Sequence, residues 1–463
     1  MMEQDPATWI TALEKSVKGA IKASKVPASS IKAIGVSGQQ HGFVPLDVDG
    51  NVIRPAKLWC DTSTAAEAEA LIKRVGGLDR MIHLTGNGLP VGFTASKVLW
   101  MKQREAKNFH RLHTILLPHD YLNFYLTGIR ATEAGDASGT GLFNAKTRNW
   151  EPVISEAIDP GLLEKLPVIR NSGDALAEVT LAVARRLGLA AGTLVSTGGG
   201  DNMMGAIGTG NVRPGIVTAS LGTSGTIYAY SSRPVIDPTG QVACFCDSTG
   251  AWLPLICTMN VTVATELVKN VFKLTNDQLT KAASAIEPGS DGLVLLPYFN
   301  GERVPDLPQG KGVWFGATKD NMTPGHLARA AMEGATLGLN FGLNRLRDLG
   351  VRPKQIRVTG GGSNNPVWRQ ILADVFDCEV VGLQTSEGAA MGGALQAKWA
   401  YLTHKGMKPR IQDITDAAVK VDPATRARPD RARSKRYKQI QELHNQLSGT
   451  LAPAFVKHAG IFG

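Results

Sequence analysis

Asp201 follows three glycines, Gly198, Gly199 and Gly200, and precedes Asn202. A carboxylate at the crest of such a loop suits general-base chemistry, and it equally suits the N-cap of the small-residue helix that follows. A second polar loop, Gly38-Gln39-Gln40-His41-Gly42, offers Gln40 and His41 as an amide and an imidazole for a polar substrate. His41 taken singly is just as well an ordinary hydrogen-bonded histidine. Two further glycine loops are Leu221-Gly222-Thr223-Ser224-Gly225 and Gly360-Gly361-Gly362-Ser363-Asn364. Backbone N–H groups in such loops approach anions, and a helix N-terminus adds a favourable dipole. One glycine loop can simply turn the chain. Three of them, each at a strand end, favour a nucleotide phosphate site. None matches a GxGxxG fingerprint or a GxxxxGK[ST] phosphate loop. The hydroxyls of Thr223 and Ser224 can donate to phosphate or satisfy their own turn. Trp59-Cys60-Asp61 adds an aromatic ring and a carboxylate, while Phe299-Asn300-Gly301-Glu302-Arg303 reads as a structural charge pair in a turn.

These loops need strands and helices to hold them. Asp5 and Pro6 open a helix in which Trp9, Leu13, Val17 and Ile21 recur every four residues, as an amphipathic face requires. Segments 31–37, 114–117 and 194–197 read as strands that run into 38–42, 118–120 and 198–202. In the second half, 216–220 and 226–230 form two strands around the 221–225 turn. Thr323 and Pro324 start a long helix that reaches about 349. Strand 356–359 then meets the 360–364 loop, and helices 366–376 and 387–401 follow. Alternating strands and helices predict an α/β protein. The similarity of 31–38 to 356–363 suggests two related halves.

Composition narrows the classes. With 43% hydrophobic and 19% charged residues, the chain can bury a large core and is not disordered. No apolar run approaches the roughly 20 residues of a membrane span, and the N-terminus does not read as a secretory signal. The five cysteines, Cys60, Cys244, Cys246, Cys257 and Cys378, are too irregularly spaced for a disulfide framework or zinc site. Reduced thiols in a cytoplasmic protein are the simple reading. The net charge of +10 favours anionic partners such as nucleotides. The basic stretch 425–436 is read as a solvated helix face rather than a nucleic-acid site, because no stacking aromatics are interleaved with it.

The chain resembles the FGGY carbohydrate kinases over about residues 5–450, and most of all the branch acting on D-xylulose. Gly92-Phe-Thr-Ala-Ser-Lys-Val-Leu-Trp100 is similar to the family's first signature, with Lys97 and Trp100 in place. Gly312-Val-Trp-Phe-Gly316 and the stretch from His326 to Glu333 resemble the second, with Ala317 where an aliphatic residue is usual. The GGDN, LGTSG and GGGS loops resemble the catalytic, phosphate and adenosine loops. Segments 58–64, 117–122 and 136–143 resemble the D-xylulose branch more than the glycerol branch.

The resemblance implies two RNase H-like (actin-like ATPase) domains around a central cleft. It implies ATP and Mg²⁺ as cofactors and phosphorylation of D-xylulose to its 5-phosphate in the cytoplasm. Asp201 takes the role of general base and, indirectly, of metal contact. Gln40, His41 and Asn202 map to the sugar; Gly222, Thr223, Ser224, Gly361, Gly362 and Ser363 map to ATP. The expected division is 1–208 for the sugar and the base, 215–403 for ATP, and a basic helical appendage over 404–463. No membrane or nucleic-acid partner is implied, and a homodimer is left open. The family's opening Asp-x-Gly-Thr hairpin has no counterpart in these residues, so the resemblance also implies impaired metal binding and lower stability for the chain as it stands. The alternatives are a relic that only binds sugar or nucleotide, a kinase for another ketose or polyol, and an actin- or chaperone-like ATPase, which the GQQHG and GGDN loops disfavour.

Overall fold

The computed structural model describes residues 1–385 and 387–462. Its contacts divide the chain into two compact units. The first comprises 1–213, 230–254 and 387–418, and the second comprises 214–229, 255–385 and 419–462. Both units are therefore discontinuous in sequence, whereas the sequence reading divides the chain at single points near 208–215 and 403. Helix Gly388–His404 belongs to the first unit because it crosses helix Asp201–Gly208 at backbone contact. A Cβ on Gly208 would lie 1.7 Å from the Gly388 carbonyl oxygen, and one on Gly392 would lie 1.7 Å from that of Met204. Only glycine permits so close an approach.

In the first unit, Leu194–Ser196 pairs in parallel with Ala33–Ile34 and antiparallel with Ala175–Glu178. The chain beyond each parallel strand pairs again, Gly199 opposite Ser37 and Gly200 opposite Gly38. The strand expected over 31–37 is thus broken into two short pieces, Ala33–Ile34 and Ser37–Gly38. Helix Ala7–Ser24 supplies Leu13, Val17 and Ile21 to a core built on Val36, Leu126, Val179, Leu187 and Val195. Burial of such apolar surface is worth roughly 25 cal/mol per Å². Between this helix and residues 34–39 lies an apolar cavity of about 400 Å³ lined by Trp9, Leu13, Val17, Val36 and Leu122; Asp201 takes no part in it.

In the second unit, Ile216–Leu221 is antiparallel to Gly225–Ala229 and parallel to Gln355–Thr359, which is parallel to Glu379–Gly382. Helix Pro324–Asp348 starts where the Thr323 hydroxyl accepts from the His326 N–H, with proline in its first turn. Helix Pro366–Phe376 is capped by Asn365, whose side chain accepts from Val367 and Trp368. The expected appendage over 404–463 divides between the units: 404–418 lies in the first, and in the second helix Arg431–Phe462 buries Tyr437, Gln441, His444 and Phe455. Its basic residues divide accordingly. Arg431, Lys435 and Arg436 are exposed, as expected of a solvated face, but Arg433 pairs with the nearly buried Asp374 at 2.7 Å and Arg426 with Glu379 at 3.0 Å.

All five cysteines are free thiols. Among the described residues, no helix is long and apolar enough to cross a membrane.

Candidate active site

Parallel strands deliver their ligand-binding loops at their C-terminal ends, and the first unit does this with its shortest strands. The pairing of Gly199–Gly200 with Ser37–Gly38 sets the two polar loops side by side. Asp201 is the first residue of its helix, and Gly200 holds the N-cap position with extended backbone. Asp201 therefore does not occupy the N-cap position, although its carboxylate lies in the first turn of the helix. Asn202 Nδ2 donates to Gln40 Oε1 at 2.8 Å and lies 3.2 Å from Asp201 Oδ1, which also accepts the Asn202 backbone N–H at 2.9 Å. Gln40, Asn202 and Asp201 form one connected polar line.

The Asp201 carboxylate is exposed, so a substrate can reach it. The protein mass around it still withdraws enough water to raise its carboxyl to about 6, against the opposing hydrogen bonds from Asn202. A base of that strength is ionised at neutral pH and remains able to accept a proton.

His41 has a left-handed backbone, φ 61°, uncommon for a non-glycine residue. Helix Thr94–Arg104 holds it there. Lys97 Nζ donates to the His41 carbonyl at 2.6 Å, Thr94 Oγ1 donates to it at 3.2 Å, and the Phe93 ring stacks on the imidazole at 4.5 Å. On another side, a Cβ at Gly139 would lie 2.4 Å from the ring. Lys97 is fully buried, and burial pushes its ammonium down to about 7 against the pull of Asp61 and Cys60. Trp100 covers Lys57 at 3.9 Å and Arg54 at 5.1 Å. Asp61 is committed to structure. Its carboxylate accepts the backbone N–H groups of Met2 and Ser63 and pairs with Lys57; although burial opposes its charge, these partners hold it down to about 2.

The second unit repeats the arrangement. Ser220 lies opposite Thr359 in parallel register, so the loops after these strands meet. A Cβ on Gly360, whose φ is 82°, would lie 2.7 Å from the Leu221 carbonyl oxygen. Thr223 is exposed at the tip of the 221–225 turn, and the space beside Gly361 is open. The Gly222 and Thr223 carbonyls accept the N–H groups of Thr262 and Val261, at the start of helix Thr262–Phe272. Glu302 anchors this assembly by accepting from Met259 N at 2.7 Å, Arg303 N at 2.8 Å and Asn260 Nδ2 at 3.2 Å; burial pushes its carboxyl up to about 7. The turn around Glu302 is structural, as the sequence reading has it.

Gln40, His41, Asn202 and Asp201 are thus gathered in the first unit. Gly222, Thr223, Ser224, Gly361, Gly362 and Ser363 are gathered in the second. Sequence reasoning from residue types missed the charged layer behind Gly200, formed by His119, Asp136 and Glu133, because those residues lie on a helix start and a turn far away in the chain. His119 entered only as part of the 118–120 loop, Asp136 only within a segment of the family resemblance, and Glu133 not at all.

Residues 1–208 match the FGGY family of carbohydrate kinases, N-terminal domain, and 217–401 match its C-terminal domain. The chain is 41% identical over 448 residues to a xylulose kinase of Haemophilus influenzae, covering 96% of this chain and 90% of that protein. A crystal structure of a xylulose kinase from Rhodospirillum rubrum matches with TM-score 0.87 and 28% identity, over 98% of this chain and 91% of that one. A gluconate kinase from Lactobacillus acidophilus matches with TM-score 0.90 at 22% identity, over 98% of this chain and 91% of that one, which speaks to the fold alone. The actin-like α/β fold expected from the sequence is the fold of these kinases, and the chain belongs to the FGGY family of carbohydrate kinases.

Proposed function

We propose that this carbohydrate kinase transfers the γ-phosphoryl group of ATP to the 5-hydroxyl of D-xylulose, with Asp201 as general base. The observation that carries the reading is the Gln40–Asn202–Asp201 line, which puts two amide side chains suited to sugar hydroxyls next to an exposed carboxylate with raised proton affinity. The similarity to xylulose kinases supports D-xylulose as the acceptor.

Gln40, Asn202 and His41 hold the ketose so that its terminal hydroxyl faces Asp201. Asp201 takes the hydroxyl proton as the oxygen attacks the γ-phosphorus; the bond to the leaving ADP breaks, and the proton passes to solvent from Asp201. The N–H groups of the 222–225 loop and the hydroxyls of Thr223 and Ser224 bind the phosphates, and the open side of Gly361–Ser363 takes the adenosine end. Mg²⁺, when bound, neutralises charge on the phosphate oxygens. Among the described residues no three His, Cys, Asp or Glu side chains form a ready-made metal site. Asp201 would be the carboxylate that holds such an ion indirectly, and the ion would supply charge neutralisation at the phosphates.

The test is ADP formation with ATP and Mg²⁺ across D-xylulose, D-ribulose, L-xylulose, D-fructose, gluconate and glycerol. The highest kcat/KM is expected for D-xylulose. A preference for glycerol or gluconate would overturn the acceptor, and binding of D-xylulose without turnover would favour a relic.

A further inference from the structure

Behind the 198–202 loop lies a buried charged layer. His119 is the second residue of helix Pro118–Thr127 and is fully buried, as are Asp120, Glu133 and Asp136. Its Nδ1 meets Asp136 Oδ2 at 2.6 Å, and its Nε2 lies 2.9 Å from Asp120 Oδ1, at ion-pair distance without hydrogen-bond alignment. Burial works against a charge on His119, but the two carboxylates outweigh it and raise the proton affinity of the ring well above that of an ordinary imidazole. Glu133 accepts the N–H groups of Gly135 and Asp136 and the Ser172 hydroxyl, which fixes the turn that presents Asp136.

This layer touches both loops of the site. A Cβ on Gly38 would lie 2.7 Å from His119 N, and one on Gly198 would lie 3.3 Å from the His119 ring. The second Asp136 oxygen, Oδ1, is buried without a hydrogen-bond partner. It sits against Gly200, where a Cβ would lie 3.1 Å from it. Gly200 immediately precedes Asp201. Four charged or titratable groups face Asp136: His119, Asp120, Glu133 and Asp201.

We propose that the buried His119–Asp136 pair is a positioning unit for Asp201: His119 seats the ends of both parallel strands, and Asp136 sets a negative charge behind Gly200 that the base feels through the loop. This rests on Asp201 being the general base. Asp136 and Asp201 oppose each other's ionisation, so the layer fixes where the loop sits and also the pH at which the base becomes active. Glycine at 200 is then required because a side chain there would part the two carboxylates' supporting backbone and collide with Gln40 Cγ, 2.7 Å from its Cβ position.

The experiment is the pH profile of kcat/KM for D-xylulose, measured on the full chain with saturating ATP and Mg²⁺. Wild type is expected to show an acid limb near 6, where the Asp201 carboxyl and the Asp136 carboxyl behind it, both pushed up by burial to about 6, titrate as an interacting pair. Asp136→Asn keeps an acceptor for the His119 ring and removes the like charge, so the limb should move down by about half a pH unit or more. His119→Gln keeps a donor for Asp136 but removes the cation, so the limb should move up. A role in folding alone would not shift the limb in opposite directions. Variants are read only where they give a cooperative thermal transition. A limb that stays in place in the folded variants overturns the proposal, and so does loss of folding in both, which would assign the pair to the fold alone. Asp201→Asn separates this from the base assignment: retained turnover there removes the base, whereas an unmoved limb in the Asp136 variant removes only the positioning unit.

Discussion

Asn202 Nδ2 donates to Gln40 Oε1 at 2.8 Å although 162 positions separate the two residues. Each belongs to a loop that leaves the C-terminal end of one of two parallel strands, and the strand register sets their distance. The hydrogen bond orients Gln40 and keeps the Asn202 amide beside Asp201.

Asp201→Ala should lower kcat by about 10²- to 10⁴-fold, the range for loss of a general base, with the D-xylulose KM changed little. In wild type, kcat/KM should rise with pH through about 6 as the carboxyl ionises. Steady-state ADP release between pH 5 and 8 measures both. A variant that turns over normally would remove Asp201 from the proton transfer.

Lys97→Met removes the donor that holds the His41 carbonyl while filling the buried stem. Freed from that bond, the left-handed backbone at His41 relaxes. The D-xylulose KM should rise by about tenfold, in line with the roughly 1.5–3 kcal/mol of a charged hydrogen bond less the gain from removing a buried cation. The ATP KM should stay constant. An unchanged sugar KM would show that Phe93 and Thr94 suffice to hold His41.

Gly392→Ala places a methyl group 1.7 Å from the Met204 carbonyl oxygen, and helix Asp201–Gly208 must move to admit it. The expected loss is about 1–3 kcal/mol or more, visible as a lower thermal midpoint. Because Asp201 is the first residue of the displaced helix, kcat should fall as well. Gly449→Ala is the control. It is also helical, has nothing within 4 Å of its Cβ position, and should be neutral or slightly stabilising.

His444 is buried with neither ring nitrogen hydrogen-bonded, and burial pushes it down to about 4. A histidine held neutral in the folded state is protonated first in the unfolded chain, so stability is full above about 6.5 and is lost as pH falls toward 4. At pH 5 the loss is about 2 kcal/mol. His444→Leu should show a smaller drop in thermal midpoint between pH 7.5 and pH 5 than wild type. Equal drops would mean that the ring finds a partner when charged.

The α/β alternation, the helix with Trp9, Leu13, Val17 and Ile21 on one face, the long helix after Thr323, and the four loops at strand ends were all legible in the sequence. Local patterns determine such features: periodicity marks the buried face, a threonine and a proline mark a helix start, and glycines mark turns. Asp201 was legible as a residue but ambiguous between cap and base, since both roles favour the same position. Only the tertiary structure gave Gly200 the cap position and aligned Asp201 with Asn202 and Gln40. The assignment of 230–254 and 387–418 to the first unit was likewise hidden, because the first depends on Cys244 and Cys246 packing against Ala134, Ala137 and Phe143 and the second on Gly208 and Gly392 admitting a helix crossing. The His119–Asp136 layer was hidden for the same reason. Its members are ordinary polar residues on separate elements, and their burial and pairing exist only once strand register has packed those elements together. Residue type and spacing carry the local chemistry, while long-range packing decides which groups meet and what charge each one feels.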